Sequence, residues 1–384
     1  MLGQHKYETI DVDVKSPRTH AHFSVHVKCA SGDRLEGFAR DFNGEGKTCQ
    51  IGQPVPFCRA QSVAVKPSFP VPGPANKLTA TRSTVLRQGL LLAASPMTAR
   101  AAYSQAHSAA VTSSVTLRTG AQIPAVGLGV FLARSGKETY NAVLSSLKLG
   151  YRHVDTARMY GNEADVGKAV RDSGIPREEV FVTSKLFDVD WGHEAATDAI
   201  KHSLATLGMQ HLDLMLMHHP GQRRGRKETW QALEAAHKQG LCRSIGVSNF
   251  GIGHLEQLLQ YATVVPAVNQ IELSPFLQRK ELVDYCRGQG IALEAYSPLC
   301  KATKLRHPVI TKVASRHKVT SAQVLVRWSL QKGFIPLPKS VKADRQATNI
   351  DVFGFELDQE DMDMLDKLEC HGVTAWDPIS QDPV

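Results

Sequence analysis

The sequence predicts an α/β protein in which eight strands and the helices between them form a closed (β/α)8 barrel, the TIM barrel fold, over residues 113–384. From Ala125 onward, short apolar segments alternate with amphipathic helical stretches, which is the pattern of parallel βα units. No glycine-rich dinucleotide fingerprint follows the first of these segments, which favours a closed barrel over a doubly wound sheet. The eight predicted strands begin near Ala125, Tyr151, Val180, Leu212, Cys242, Pro266, Ile291 and Phe334.

The segments between the predicted strands have the apolar spacing of helices that cover one side of a sheet. Glycine follows several of them, as at Gly208, where a residue of positive φ ends a helix. Before the barrel, the alternation from Ser114 to Leu117 and the turn Thr119-Gly120 predict a short hairpin that covers the N-terminal face. The clearest predicted helices run over 138–149, 194–207, 227–240, 254–261 and 279–288.

Residues 1–112 differ in composition from the rest of the chain, and we treat them as an N-terminal extension. Pro, Gly and Ser dominate residues 53–75, which favours disorder over a separate folded domain. The alternation from Phe23 to Val27 is the observation that favours a folded segment. We therefore expect the extension to be largely disordered.

Part of this extension also resembles a targeting signal. No Asp or Glu occurs from residue 46 to residue 137, and the segment 81–110 combines arginines with many Ser, Thr and Ala, as organelle transit peptides do. Its distance from Met1 leaves open a true start downstream, at a residue such as Met97. We expect a cytoplasmic protein, or a plastid or mitochondrial one if 81–110 is a transit peptide.

The composition argues against several classes of function. Hydrophobic residues make up 42% of the chain, as in soluble globular proteins, and no window approaches the ~18 consecutive apolar residues of a membrane span. Residues 1–111 hold 13 Lys or Arg against 7 Asp or Glu, so they carry most of the net charge of +8. The nearly balanced remainder predicts no nucleic-acid partner. The seven cysteines form no CxxC pair, which indicates a reducing compartment.

Polar side chains occupy the C-terminal ends of seven successive predicted strands, the second to the eighth. In a (β/α)8 barrel these ends open onto one face, so polar residues there are typical of an active site. Singly, each has a structural explanation: Asp155 as a helix cap, Lys185 as a surface residue and His218 as a satisfied core side chain. Their coincidence favours catalysis. The residues are Asp155, Lys185, His218, Ser248, Asn249, Asn269, Gln270, Tyr296, Ser297, Lys339 and Ser340.

Tyr160 lies just beyond the second of these strand ends and is a candidate proton donor. A free phenol has a pKa of about 10, so it needs a nearby cation to act as an acid near neutral pH. Asp155 would keep Lys185 charged, and Lys185 would lower the pKa of Tyr160. His218 could donate a hydrogen bond to a carbonyl oxygen and orient it. The arrangement suits reduction of a carbonyl group.

The pair His218-His219 also invites a metal-site interpretation, which the spacing does not support. HExxH is absent, and neighbouring residues on a strand point to opposite faces, so one ion cannot easily use both. We expect no metal.

Several further motifs are similar to those of the aldo-keto reductases, and the resemblance runs from about Val115 to Pro378. It implies a catalytic tetrad of Asp155, Tyr160, Lys185 and His218, with NADPH across the barrel mouth. The segments that carry the resemblance are Gly127-Leu128-Gly129, Asp155-Thr156-Ala157, Tyr160-Gly161-Asn162-Glu163, Thr183-Ser184-Lys185-Leu186, Asp213-Leu214, Gly246-Val247-Ser248-Asn249-Phe250, Val268-Asn269-Gln270, Ala295-Tyr296-Ser297-Pro298-Leu299 and Pro338-Lys339-Ser340-Val341.

The resemblance also implies which residues hold the cofactor. Ser248, Asn249 and Gln270 would bind the carboxamide, and Tyr296 would stack on the nicotinamide ring. Ser297 and Leu299 would meet the pyrophosphate. Lys339, Ser340 and Arg345 match the positions that bind the adenosine 2′-phosphate, and the further cation Lys342 suits a dianion, so NADP(H) is preferred over NAD(H).

The chain departs from the family where the substrate would lie. Phe131, Phe187 and His219 stand where family members often have Trp, so we expect these three residues to line an altered substrate pocket. Short loops make the chain similar to the microbial and plant-type members, such as aldehyde and diketogluconate reductases.

The predicted function is reduction of aldehydes or ketones to alcohols, with hydride from NADPH and a proton from Tyr160. We expect a small-molecule carbonyl substrate and a monomer. Two alternatives stay open at this point: a regulatory barrel that kept the cofactor site but turns over slowly, and a lyase or isomerase barrel that uses Lys185 as a Schiff-base amine.

Overall fold

The computed structural model describes residues 10–15, 22–28, 34–38, 113–221, 224–382 and 384. The chain divides into two compact units, Met1–Arg87 and Gln88–Val384. In the first unit, three strands form an antiparallel sheet in the order β1-β2-β3: β1 is Ile10–Lys15, β2 is His22–Lys28 and β3 is Arg34–Phe38. The alternating segment noted in the sequence lies in β2. Most of 1–112, where disorder is predicted, and all of the transit-peptide-like segment 81–110 lie outside the described residues.

The second unit is built on eight parallel strands in sequential order, β6 to β13. A parallel bridge between Gly129 and Lys339, and a 3.0 Å hydrogen bond from Gly127 N to Pro336 O, join the last strand to the first. These bonds close the ring and confirm the (β/α)8 barrel. The strands are β6 Leu128–Gly129, β7 His153–Asp155, β8 Phe181–Leu186, β9 Leu212–Met217, β10 Cys242–Ser248, β11 Val268–Glu272, β12 Ala292–Tyr296 and β13 Ile335–Leu337.

Helices follow the strands and surround them, as the sequence pattern predicts. Each amphipathic helix buries its apolar side against the outer surface of the barrel. The described helices are α1 Lys137–Lys148, α2 Glu163–Asp172, α3 His193–Leu207, α4 Arg226–Lys238, α5 Ile252–Leu259, α6 Lys280–Gly288, α7 Pro308–His317, α8 Ser321–Gln331, α9 Ala343–Ile350, α10 Gln359–Asp366 and α11 Pro378–Gln381.

Strand β9 explains why the barrel strands are apolar on both faces. Its residues Met215 and Met217 belong to the large core between strands and helices, whereas Leu214 and Leu216 belong to a second core inside the barrel. Because successive side chains alternate between the two faces, both sets must be apolar. The run of apolar residues in this segment is therefore a property of a fully buried parallel strand.

The predicted N-terminal hairpin is confirmed and closes the lower end of the barrel. Strands β4, Ser114–Thr116, and β5, Gln122–Pro124, pair antiparallel. Leu117 and Ile123 are buried in the inner core with residues of the barrel strands. Burial of two such side chains contributes about 1.5–3 kcal/mol each.

Polar side chains at the strand ends gather at the opposite, C-terminal face, because all eight strands run in the same direction. No helix among the described residues has the length and apolar character that crossing a membrane requires.

Candidate active site

Three of the predicted residues, Asp155, Tyr160 and Lys185, meet at the C-terminal end of the barrel, around the amino group of Lys185. Lys185 Nζ lies 2.6 and 2.7 Å from the two carboxylate oxygens of Asp155, 2.9 Å from the carbonyl oxygen of Thr156 and 3.4 Å from the hydroxyl of Tyr160. The Lys185 side chain is fully buried. A buried ammonium held by a carboxylate therefore faces the phenol directly.

The local backbone geometry positions Asp155, Lys185 and Tyr160. Asp155 is the last residue of β7 and Lys185 lies on the adjacent strand β8, so the two side chains lean toward each other inside the barrel. Tyr160 ends a 3₁₀ turn over Arg158–Tyr160, which stops at Gly161 with φ 66°. That left-handed conformation favours glycine and turns the chain into α2.

The charge of Lys185 is secured by its neighbours. Burial lowers the pKa of the ammonium, but the charges of Asp155 and Tyr160 and the hydrogen bond to Asp155 outweigh burial, so the pKa lies above its ordinary value. A lysine held charged in this way is a poor amine nucleophile.

The pKa of Tyr160 differs from the sequence-based expectation. Burial raises it, and although Lys185 lowers it as expected, the net pKa lies above the ordinary value of a phenol. The expectation of a net lowered pKa was therefore wrong, because burial of the ring is not visible in a sequence. The phenol is protonated at neutral pH and can act as an acid.

His218 lies on the other side of Tyr160, just beyond the end of β9. Its ring centroid is 5.7 Å from that of Tyr160, and Phe187 packs on it at 5.4 Å. Burial, with the charge of Lys185 and the neighbouring His219, lowers the pKa of His218 well below its ordinary value. The imidazole is therefore neutral and carries one N–H that can be donated to a carbonyl oxygen.

The predicted carboxamide-binding residues lie next to this group. Ser248 Oγ donates to Gln270 O at 2.8 Å, and Asn249 Nδ2 donates to His218 O at 3.0 Å. The hydroxyl of Tyr296 donates to Asn249 Oδ1 at 2.8 Å, which fixes the ring at the mouth. Gln270 lies deeper, where its Nε2 donates to Asp155 Oδ2 at 2.8 Å.

The residues predicted to meet the phosphates lie on two further loops. Ser297 has φ 49°, and Cys300, Lys301 and Ala302, just after Leu299, also have positive φ. Ser340 is buried, and its hydroxyl accepts a hydrogen bond from Lys342 N at 3.1 Å, directly before α9. Lys339, Lys342 and Arg345 are exposed around the start of this helix, and none has an ion-pair partner among the described residues. Unpaired cations beside a helix start suit a phosphate.

An aromatic wall surrounds Tyr160, and it includes the three predicted substrate residues. Phe131 packs on Tyr160 at 5.0 Å between centroids, and Phe187 packs on both His218 and His219. Trp376 belongs to the C-terminal segment, which follows α10 from residue 367 onward. Its ring lies 4.8 Å from that of His219 and 6.5 Å from that of Phe187. Both histidines lie beyond the last residue of β9, so they do not alternate in direction as residues within a strand do.

His219 is held between two carboxylates that the sequence did not reveal. Its Nδ1 lies 2.6 Å from Asp382 Oδ2, and its Nε2 lies 2.7 Å from Asp188 Oδ1. Both ring nitrogens therefore lie within ion-pair distance of a carboxylate. The contact also ties the C-terminal segment to the loop after β8.

A second tie holds the C-terminal segment against the barrel mouth. The buried carboxylate of Glu272 accepts hydrogen bonds from Thr374 N at 2.9 Å and Ala375 N at 3.1 Å, and Trp376 O lies 3.2 Å from the hydroxyl of Tyr296. Sequence reasoning missed Trp376, because this segment has no periodic pattern from which a packing position could be predicted. Within the described part of the chain, no group of three or more His, Cys, Asp or Glu side chains is arranged to hold a metal ion.

Comparison with known proteins places this site among related ones. The model of the aldo/keto reductase family matches residues 132–369. The chain is 48% identical over 254 residues to glyoxal reductase from Bacillus subtilis, a match that covers 66% of this chain and 92% of that protein. It is 43% identical over 282 residues to morphine 6-dehydrogenase from Pseudomonas putida, covering 70% of this chain and 95% of that protein.

Solved structures agree with this likeness. An aldo-keto reductase from Bombyx mori, determined in complex with NADP, superposes with a TM-score of 0.65 at 32% identity and covers 68% of this chain and 94% of that chain. An aldo-keto reductase from Brucella melitensis superposes with a TM-score of 0.65 at 41% identity, covering 67% of this chain and 99% of that one.

Proposed function

Because the chain belongs to the aldo-keto reductase family, a family of NADP-dependent oxidoreductases, we propose that it reduces aldehydes or ketones to alcohols with NADPH and that Tyr160 is the proton donor. The observation that carries this proposal is the position of Lys185 Nζ, which is bonded to Asp155 and lies 3.4 Å from the Tyr160 hydroxyl. A cation at this position stabilises the phenolate that forms as the proton leaves.

The residues of this chain then have distinct roles. Bound NADPH supplies the hydride. Tyr160 gives its hydroxyl proton to the carbonyl oxygen, Lys185 stabilises the resulting phenolate, and Asp155 keeps Lys185 charged and in place. Neutral His218 donates a hydrogen bond to the same oxygen and so orients the carbonyl group.

We propose that NADPH binds across the mouth. Ser248, Asn249 and Gln270 would bind the carboxamide, Tyr296 would stack on the nicotinamide ring, and Ser297 and Leu299 would meet the pyrophosphate. Lys339, Ser340 and Arg345 would bind the 2′-phosphate, a role that the exposure of the two cations supports.

Removal of these two cations should weaken the binding of NADPH but not that of NADH. In the double variant Lys339→Ala/Arg345→Ala, we expect KM for NADPH to rise by about 10- to 100-fold, since two solvent-exposed phosphate contacts contribute about 0.7–1.4 kcal/mol each and about 1.4 kcal/mol is tenfold. KM for NADH, which has no 2′-phosphate, should change less than about twofold. Steady-state kinetics with both cofactors measure this, with Lys148→Ala on α1 as an exposed-cation control. Equal losses with NADPH and NADH would contradict the assignment.

The rim of the mouth favours apolar substrates. The exposed large hydrophobic side chains among the described residues lie on the loops after β6, β7 and β8 or on the C-terminal segment. They are Phe131, Leu132, Met159, Val189, Val373, Trp376 and Val384. An exposed apolar patch around a polar reaction centre is typical of a binding site for an apolar ligand. We therefore propose aromatic and medium-chain aldehydes as better substrates than sugar aldehydes.

Trp376→Ala tests the contribution of this wall. The indole should contact an aromatic substrate beside His219, so its loss should raise KM for nitrobenzaldehyde by about 3- to 10-fold, as expected for one aromatic contact. Methylglyoxal is too small to reach the indole and serves as the control, with KM expected within about twofold of the unchanged enzyme. An equal effect on both aldehydes would place Trp376 outside the substrate pocket.

A panel of carbonyl compounds with NADPH and NADH, tested on the full chain, decides among the candidate functions. Turnover of aldehydes with NADPH supports the proposal. Tight NADPH binding with very slow turnover of every carbonyl would instead favour the regulatory barrel. Borohydride trapping of a substrate on Lys185 would favour the lyase, which the charged, fully buried state of Lys185 opposes.

We also propose a monomer, located in the cytoplasm or, if 81–110 acts as a transit peptide, in a plastid or mitochondrion. Size-exclusion chromatography with light scattering tests the first point. The N-terminal sequence of the native protein tests the second.

A further inference from the structure

Glu294 is a buried carboxyl at the centre of the barrel, one layer below the catalytic group. It lies on β12, points into the barrel and is fully buried. Its Oε2 accepts a hydrogen bond from Gln270 Nε2 at 2.8 Å, and its Oε1 lies 3.4 Å from His153 Nε2. Burial of a carboxyl group costs free energy unless the group is hydrogen-bonded, so the hydrogen bond of Glu294 indicates what the residue is for.

The amide of Gln270 is held by two carboxyls at once. Its Nε2 donates one hydrogen to Asp155 Oδ2 and the other to Glu294 Oε2, each at 2.8 Å. Both amide hydrogens are thus used. A flipped amide would place its oxygen against the carboxylate of Asp155, which can only accept hydrogen bonds, so only one orientation is compatible with this neighbour.

This orientation decides which atom of the Gln270 amide is available at the mouth of the barrel. Because Nε2 is bonded to Asp155 and Glu294, we infer that Oε1 is the atom of Gln270 left for the carboxamide. An oxygen there can accept a hydrogen bond from the carboxamide nitrogen but cannot donate one.

We propose that Glu294 is a positioning residue: through Gln270 it fixes the carbonyl oxygen that receives the carboxamide and steadies Asp155 in its bond to Lys185. This inference rests on the proposed function for the identity of the cofactor. It adds a fifth acidic or basic group to the reaction centre, one that touches neither substrate nor cofactor.

The charges around Glu294 agree with this role. The ionisable groups that face it are His153 and Asp155 on β7 and Lys185 on β8, while β11 presents the neutral Gln270 and β13 pairs through Ile335. Burial, and then the charge of Asp155, raise the pKa of Glu294 to about 8. Burial and the charge of Lys185 lower the pKa of His153 to about 3, so His153 is neutral.

Glu294 therefore carries a proton at neutral pH, and the barrel centre holds one carboxylate and one ammonium. As the pH rises through about 8, Glu294 ionises and places a second negative charge beside Asp155. That charge disfavours the phenolate of Tyr160, so the reduction should slow over this range.

Two substitutions in the full chain test the inference. Glu294→Leu removes the acceptor and leaves one amide hydrogen of Gln270 unbonded, so we expect the NADPH dissociation constant to rise and kcat/KM to fall by about tenfold each, the cost of one buried hydrogen bond. Glu294→Gln keeps an acceptor but cannot ionise. Its NADPH affinity should stay within about threefold of the unchanged enzyme, and the fall in kcat/KM with an apparent pKa of about 8 should be missing.

NADPH affinity is measured by quenching of intrinsic fluorescence and kcat/KM over pH 6–9.5, with circular dichroism to check folding. Glu163→Gln is the matched control, since this buried carboxyl on α2 is bonded to Ser184 at 2.6 Å and Ser203 at 3.3 Å instead. If Glu294→Leu does not fold, Glu294→Met, which removes the same acceptor with a longer apolar side chain, replaces it in the NADPH measurement.

An alkaline limb in Glu294→Gln that is identical to that of the unchanged enzyme would overturn the inference, as would full NADPH affinity in folded Glu294→Leu. Failure of the proposed function would give a different result: the unchanged enzyme would reduce no carbonyl compound. The effect of Glu294→Leu on NADPH binding would then still test the positioning role.

Discussion

Substitution of Tyr160 by Phe is expected to abolish carbonyl reduction while leaving NADPH binding intact. The variant keeps the ring that packs on Phe131 and His218 but removes the hydroxyl that lies 3.4 Å from Lys185 Nζ. A general acid contributes about 10²–10⁴-fold to the rate, so kcat should fall by at least that factor. The NADPH dissociation constant should change less than about twofold, because the hydroxyl is not among the groups assigned to the cofactor.

Single-turnover measurements with nitrobenzaldehyde provide the readout, because they isolate the chemical step from product release. The matched control is Tyr140→Phe, which removes an exposed hydroxyl bonded to Asp172 on α2. Turnover near that of the unchanged enzyme in Tyr160→Phe would show that another group delivers the proton.

The second large effect concerns the ion pair of Lys185 and Asp155. Lys185→Met leaves the Asp155 carboxylate buried without its cation, and Asp155→Leu leaves the ammonium without its anion. Loss of one partner of a buried pair costs about 3–5 kcal/mol, whereas replacement of both by apolar side chains of similar volume is often neutral or better. We therefore expect each single variant to lose about that much free energy of unfolding and the double variant to regain most of it.

Urea unfolding followed by circular dichroism measures the stability of the three variants. Activity behaves differently from stability, and all three variants should be inactive. Lys185→Met and the double variant lack the ammonium beside Tyr160, and Asp155→Leu lacks the carboxylate that keeps Lys185 charged and in place. A double variant whose loss of stability equals the sum of the single losses would show no coupling between Lys185 and Asp155 and would contradict this expectation.

Much of this architecture could be predicted from the sequence because it depends on local periodicity. The predicted strand starts at Leu212 and Cys242 coincide with those of β9 and β10, and the other predicted starts lie within three residues of the observed ones. Alternation within β8 likewise separates Ser184, which bonds Glu163 on the helix side, from Lys185, which faces the barrel interior. Since parallel strands end at one face, the convergence of Asp155, Lys185 and His218 followed from their positions at strand ends.

The parts that could not be predicted depend on burial and on contacts distant in sequence. Glu294 stands in an apolar strand with no local sign of the carboxyl and amide that it meets. Asp382 lies 163 residues from His219, in a segment without regular pattern. The pKa of Tyr160 depends on how completely the barrel encloses the ring. Each of these needs the three-dimensional arrangement.

The hairpin of β4 and β5 has a consequence for the supply of protons. Because Leu117 and Ile123 fill the lower end of the barrel, the described residues leave the mouth as the entrance to Tyr160. Each catalytic cycle consumes the phenolic proton, and its replacement must arrive from bulk water through the opening by which the alcohol departs. Reprotonation of Tyr160 and departure of the alcohol thus use the same opening. A solvent isotope effect on kcat should therefore follow the rate of product release.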